Sequence, residues 1–336
     1  MMRRLSAAAA FAFVVIAPAI GQTPQPYPPL NTPLIIQQVP GARVYYTIGN
    51  PGVPEQRNQG NTSNAGFVVT SDGEVVFDAL GTPSLGWNLL QAIKKVTSLP
   101  IRYNVVSHYH ADHIYGLQAF KDHSASVIVA QQRATEYRED DQTSGERADQ
   151  RLDQRRDALA PWVDANTRVV PPDITFDRRM TIYLGRERLT LIYAGPAHSA
   201  SDSMMFVEPD GVLFAGDVVQ NGRIPFMNAD DVDTANWLKS LSEIAKLAPK
   251  FIIPGHGQPS TDAASAIAFT RDYITYVRDA MGKAADDWTD FDVAYDRTDW
   301  SKYKSLPAFD ANNRGNAYRI YLEMEQTQFK ADKPAQ

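Results

Sequence analysis

The sequence predicts a mixed α+β fold made of two halves of like order, each a block of strands followed by a helix. Three observations carry that expectation. Short runs of β-branched and aromatic residues are separated by turn signals at Ser71-Asp72-Gly73, Gly185-Arg186 and Pro209-Asp210-Gly211. Segments with apolar residues at helical spacing close each half, at residues 84–96 and from Thr234 onward. The clusters that carry chemistry each stand directly after an apolar run, so their side chains collect along one edge if the strands share a sandwich.

Length and composition set the frame. The 336 residues suffice for one large domain or two modest ones, and 43% hydrophobic residues supply a substantial core. A formal charge of −6, with no basic run of five or more, argues against a nucleic-acid partner held through phosphate contacts and favours a small-molecule substrate. Met1-Met2-Arg3-Arg4 and the apolar residues 5–20 have the charged and hydrophobic regions of a secretory signal, with cleavage expected after Gly21. An uncleaved anchor is the alternative, but the apolar run is shorter than the roughly 20 residues that a spanning helix needs. Loss of Arg3 and Arg4 leaves a more acidic chain, at about −8. With no cysteine there is neither a disulfide nor a lipid-modified cysteine. A periplasmic or secreted protein without stable membrane insertion is expected.

Taken in order, residues 22–41 form a proline-rich extended arm. The domain proper is expected over 42–281. Residues 43–48 read as a strand, and the glycine-punctuated residues 49–64 as a loop able to act as a flap. Residues 65–70 and 74–78 read as a hairpin, and a helix with Leu85, Leu89, Ile93 and Val96 on one face follows. Strands are expected at 101–106 and 127–130. Residues 133–164 are crowded with charge and poor in large apolar side chains. A solvated helical insertion is the plainer reading of them, and a lid over the site the sharper one. The second half reads as strands at 180–184, 187–193, 204–207 and 212–215. A helix capped by Thr234 comes next, then a short buried strand at 251–253 and a helix at 262–281. Residues 282–336, with a final helix at 316–326, form an extension packed on the core.

The densest chemistry is Ser107-His108-Tyr109-His110-Ala111-Asp112-His113. Three of the chain's six histidines and a carboxylate fall within six positions. In an extended segment His108 and His110 project to one side and can grip one ion, while Asp112 and His113 can serve a second position nearby. His198, Asp217 and His256 each follow a strand, with small residues beside them. The seven donors suit two zinc ions sharing one bridging carboxylate, since imidazole and carboxylate both ligate zinc and no thiolate is available. His198 or His256 taken singly reads equally well as a satisfied histidine of a glycine-rich turn. His123, in Lys121-Asp122-His123-Ser124, reads as a surface residue.

The ordered set His108-Tyr109-His110-Ala111-Asp112-His113, His198, Asp217 and Pro254-Gly255-His256-Gly257 resembles the metallo-β-lactamase superfamily. The resemblance spans about residues 44–281 and implies a four-layer αββα sandwich with the site between the edges of two sheets. It also implies that His108, His110 and His198 hold a first zinc, that Asp112, His113 and His256 hold a second, and that Asp217 bridges. Asp78 resembles the carboxylate that braces the histidine loop in this superfamily, and reads otherwise as a turn aspartate. Residues 107–116, with Asn221-Gly222-Arg223-Ile224-Pro225-Phe226, look most like exported zinc hydrolases associated with quinoprotein and sulfur-oxidation systems. The absence of cysteine excludes the cysteine-ligand subclass of true β-lactamases, and no lysine follows Asp217 at short range to grasp a β-lactam carboxylate.

The function so implied is hydrolysis. Two zinc ions would lower the pKa of a water from roughly 15.7 toward about 7, giving a hydroxide that attacks an ester or amide carbonyl of a β-lactam, lactone or related molecule. Asp112 would orient that nucleophile as the catalytic residue. Asn61, Asn64, Tyr115, Arg223 and Phe226 are candidates for the substrate wall. Iron-dependent redox or dioxygenase chemistry on the same fold is one alternative. A metal-binding accessory protein without catalysis is the other.

Overall fold

The computed structural model describes residues 25–137 and 148–331, so the expected signal segment lies outside the described residues, as does the middle of the charged insertion. Twelve described strands form two sheets. The first contains β1 (Gln37–Gln38), β2 (Val44–Thr47), β3 (Ala65–Val69), β4 (Glu74–Phe77), β5 (Ile101–Val105), β6 (Val127–Gln131) and β7 (Ile174–Phe176), in that spatial order. It is antiparallel as far as β4 and parallel from β4 to β7. The second contains β8 (Arg179–Leu184), β9 (Glu187–Ile192), β10 (Met204–Glu208), β11 (Val212–Asn221) and β12 (Phe251–Gly257), with β12 pairing parallel to β11.

The alternation of side chains along each strand builds the layers. On β4, Val75 and Phe77 point between the sheets, where Phe77 stacks on Phe214 of β11 with ring centroids 5.2 Å apart. Val76 points the other way, to Leu85, Leu89 and Ile93 of helix α1 (Pro83–Val96). Leu213 and Ala215 of β11 likewise face away from the first sheet, toward α5 (Thr234–Ala245) and α6 (Ala263–Asp286). Three apolar interfaces therefore stack as helix, sheet, sheet, helix. Each fully buried Leu, Ile or Phe contributes roughly 1.5–3 kcal/mol, so these interfaces, and not the few surface ion pairs, hold the sandwich closed.

The remaining helices are α2 (Ala111–Ile114), α3 (Leu117–His123), α4 (Ala148–Leu159), α7 (Phe291–Arg297) and α8 (Phe309–Ala331). Several boundaries differ from the sequence reading. Thr234 is the first residue of α5, and its cap is Asp233, whose carboxylate accepts from Asn236 N at 2.8 Å. Both residue types cap helices, and only the backbone turn separates them. Helix α6 runs unbroken across position 281, and Ala284, Ala285, Tyr303, Ala317 and Ile320 complete its apolar cluster. Residues 282–331 are thus a continuation of the second helical layer. The proline-rich arm also adds to the core, pairing β1 with β2 and laying Leu30, Leu34 and Ile36 on the cluster beneath α1. Among the described residues no helix is long and apolar enough to cross a membrane.

Candidate metal centre

The parallel arrangement of β4, β5 and β6 brings the C-terminal end of β5 to one edge of the sandwich, and the histidine loop leaves from there. His110 stands immediately before α2, which carries Asp112 and His113. From the second sheet, the β9–β10 connection supplies His198, while β11 and β12 supply Asp217 and His256. Both of these strands run further than their apolar runs, to Asn221 and Gly257, so Asp217 and His256 sit inside paired strands and not in free loops. The two sheets are tied at this edge by Ser203, whose backbone N donates to Ser107 O at 2.7 Å and whose hydroxyl donates to Val106 O at 2.9 Å.

The seven expected donors meet. One group of ligand atoms joins His108, His110 and His198, a second joins Asp112, His113 and His256, and a third joins His108, His113 and Asp217 between them, each within 4.8 Å. Asp217 reaches both sides: its Oδ1 lies 3.2 Å from His113 Nε2, and its Oδ2 lies 3.2 Å from His198 Nε2 and 3.3 Å from His256 Nε2. Asp112 Oδ2 is 3.3 Å from His256 Nε2. His198 Nε2 and His110 Nδ1 approach to 2.8 Å.

The residues fit divalent ions on their own chemistry. His256 Nδ1 lies 2.8 Å from Thr62 O and His113 Nδ1 2.8 Å from Asp78 Oδ2. A carbonyl or carboxylate oxygen only accepts, so each Nδ1 carries a proton and each Nε2, on losing its own, turns a lone pair to a metal. His108 Nε2, His113 Nε2 and Asp217 Oδ1 are buried without a hydrogen bond from the protein. Leaving a buried polar group unmade costs about 1–3 kcal/mol, and here three such atoms converge. Burial pulls His108 and His110 well below the ordinary histidine range, which keeps them neutral and able to ligate. At His113 burial acts the same way but is overcome by the carboxylates of Asp217, Asp78 and Asp112, which hold its pKa well above that range. Burial would raise Asp112 and Asp217, yet the neighbouring histidines hold both well below the usual carboxylate range. The carboxylates thus draw positive charge into the cluster, and a divalent ion supplies it with release of protons.

Asp78 lies beneath the loop. Its Oδ1 accepts from Ser107 N at 2.7 Å, and its Oδ2 accepts from Ser107 Oγ at 2.8 Å as well as from the His113 ring. Its backbone φ of 60° turns the chain from β4 toward α1 at the same point. An Asp78→Asn change is expected to weaken metal affinity by about 10- to 100-fold, measured by competition with a chromophoric chelator. Unchanged affinity would reduce Asp78 to a turn residue.

The expected substrate wall is only partly present. A cavity of about 380 Å³ opens on the donors, lined also by Arg223 and Phe226, with Val53 and Pro54 from the 49–64 loop. Tyr115 is not part of it: it follows α2 into the cluster under α1 and is fully buried there. Asn64 is a staple, its Nδ2 donating to Pro254 O and Gly257 O at 2.8 and 2.9 Å, so it shapes the turn bearing His256. Asn61 does not line the cavity either; its main chain bonds to Asn50 and Asn58. In both cases the backbone pairing of the loop, which composition does not reveal, directs the side chain away from the opening.

Several contributors have no signal in the sequence reading. Thr62 Oγ1 donates to Asp112 Oδ2 at 3.2 Å and Ser63 Oγ to Asp112 O, so the loop before β3 fixes the Asp112 carboxylate from outside the motif. Gln220 Nε2 donates to Asp217 Oδ2 at 3.1 Å, and its Oε1 accepts from Arg223 at 2.9 Å. Arg151, Gln154 and Arg155 of α4 line the cavity, although their segment reads from composition as a solvated face.

This fold carries, at one edge of an αββα sandwich, a cluster of His and Asp side chains that could hold metal. The sequence model of the metallo-beta-lactamase superfamily matches residues 59–256, and the chain belongs to that superfamily, an MBL-fold metal-dependent hydrolase by class. A metallo-beta-lactamase type 2 of Elizabethkingia meningoseptica is 22% identical over 218 residues, covering 63% of this chain and 75% of that protein. A linear primary-alkylsulfatase of Pseudomonas sp. (strain ATCC 19151) is 22% identical over 244 residues, and the match spans 63% of this chain but only 45% of that larger protein. Among solved structures, a metallo-beta-lactamase from Pontibacter korlensis superposes with a TM-score of 0.54 at 18% identity, covering 72% of this chain and 99% of that one, which shows the shared fold.

Proposed function

We propose that the protein is an exported hydrolase with two zinc ions per chain that cleaves an ester or amide bond of a small molecule such as a lactone or β-lactam. The observation that carries this reading is the sharing of donors. His108 and His113 each belong to two of the three ligand groups, and Asp217 reaches His198, His113 and His256 at once, as a bridging carboxylate must. A single ion held by His108, His110 and His198 would leave Asp112 and His256 unused.

When bound, the two ions supply an acidified water at neutral pH and polarise a carbonyl oxygen. The chain's residues do the rest. Asp112, 16% exposed and oriented by Thr62, faces the cavity and is placed to hold the proton given up by the attacking water. Gln220 keeps Asp217 turned toward the histidines while Arg223, donating to Pro51 O and Gly52 O, locks the 49–64 loop beside the opening. The ring of Phe226, 6.3 Å from that of His110, gives the substrate an apolar wall and limits water there. A cavity of this size admits one small molecule and no nucleic-acid duplex. The charged start and the apolar residues 5–20, which read as a secretory signal, support function in the periplasm or outside the cell.

The test is kcat/KM of the zinc-loaded protein on a chromogenic cephalosporin, a lactone and a simple aryl ester, each with a chelator-treated control. At least one chelator-sensitive value within about 10⁴–10⁸ M⁻¹s⁻¹ is expected. Rates on all three that survive metal removal would defeat the reading.

A further inference from the structure

Helix α4 is fixed over the cavity. Leu152 and Leu159 are buried in the cluster beneath the first sheet. Arg156 donates to Asp164 O at 2.8 Å and Thr167 O at 3.1 Å, and Gln56 Nε2 donates to the carbonyls of Ala158 and Ala160 at 3.1 and 2.8 Å. With that side anchored, an adjoining side presents Arg151 and Arg155 to the cavity, one helical turn apart and both partly exposed.

Two like charges at this spacing repel by a few tenths of a kcal/mol in an isolated helix. Among the described residues Arg155 makes no hydrogen bond or ion pair. Arg151 lines the same cavity wall as His110. The third cavity arginine, Arg223, is already committed to Pro51 O, Gly52 O and Gln220 Oε1. Asp112 and Asp217, the carboxylates of the cavity, belong to the metal cluster, and two divalent ions would more than neutralise them. The charge of Arg155 is therefore left for something that enters.

We propose that Arg155, together with Arg151, binds an anionic group of the substrate and holds its scissile bond at the metal cluster, so that α4 selects negatively charged small molecules. This rests on the hydrolase reading and names its substrate class. A guanidinium fork matches the paired oxygens of a carboxylate or of a sulfate or phosphate group. The shared chemistry is an oxyanion carried on a small molecule.

The test pairs two esters with one leaving group, 4-nitrophenyl acetate and 4-nitrophenyl hemisuccinate, in the zinc-loaded full chain and in Arg155→Gln and Arg155→Lys. Arg155→Gln is expected to raise KM for the hemisuccinate about ten-fold, a loss of about 1.4 kcal/mol, while the acetate changes less than two-fold and kcat is kept. Arg155→Lys should recover part of the loss, and raising salt from about 0.05 to about 0.5 M should shrink the preference. Equal effects on both esters would overturn the anion site and leave the hydrolase reading standing. If neither ester turns over, calorimetric titration with succinate and with sulfate decides. A ten-fold weaker affinity in Arg155→Gln keeps the anion site without the esterase, and equal affinity in both chains, or no binding to either, removes it. Tighter binding of succinate than of sulfate assigns a carboxylate, and the reverse order assigns a sulfate or phosphate group.

Discussion

Asp217→Ala is expected to retain at most one zinc ion per chain and to lose about three orders of magnitude in kcat/KM, or roughly 4 kcal/mol of transition-state stabilisation. The reason is its position between the two donor groups. Its oxygens stand 3.2 to 3.3 Å from the ligating nitrogens of His113, His198 and His256, and no other described carboxylate reaches all three. Without it the second ion depends on Asp112, His113 and His256 alone, and two positive ions lose the negative charge between them. Gln220 Nε2 also loses its acceptor. Metal analysis, kcat/KM and far-UV circular dichroism on the same preparation separate loss of the site from loss of the fold. Two bound zinc ions with activity within ten-fold of the wild type would take the bridging role away from Asp217.

Gly255→Ala should damage the same centre without touching a ligand. A Cβ at Gly255 would stand 1.9 Å from Asp217 Oδ1 and 2.6 Å from the backbone carbon of Gly216. The Gly216 backbone cannot yield easily, because β11 and β12 are paired through Gly216 and Pro254 in a fully buried register. The clash therefore falls on the Asp217 carboxylate or on the strand pairing that sets His256. Overpacking of this kind typically costs 1–3 kcal/mol of stability, and the metal centre should lose far more than that in function. The expected result is a folded chain with a lowered melting temperature, substoichiometric zinc and at least a hundred-fold lower kcat/KM. Wild-type metal content in Gly255→Ala would mean that the backbone here relaxes more than its pairing allows.

The clustering of the candidate ligands is legible in the sequence because its signal is local. His108 and His110 share a side by strand alternation, and His113 with Asp112 follow within the same turn, so spacing alone brings four donors together. His198, Asp217 and His256 were legible as a set, through their positions after apolar runs. The cavity wall was not. Tyr115 closely follows the donors and Asn64 closes the polar loop before β3, but they point into the core and into the β12 turn, a direction set by long-range packing. Arg151 and Arg155 present the converse case. A charged helix reads the same whether it faces bulk water or a cavity, and only the anchoring of Leu152 and Leu159 decides which. The fold shows a similar limit. The apolar runs located the strands, but the polar ends of β11 and β12 are strands because each pairs with the other through Gln220–His256 and Asn221–Gly257.

The most direct measurement is a zinc titration of the metal-free protein, with bound metal and hydrolysis of a turned-over substrate followed in the same samples. The account predicts saturation at two zinc ions per chain, with turnover abolished by chelation and restored as the ions return. Saturation at one ion with full activity, or activity supported by iron and not by zinc, would contradict it.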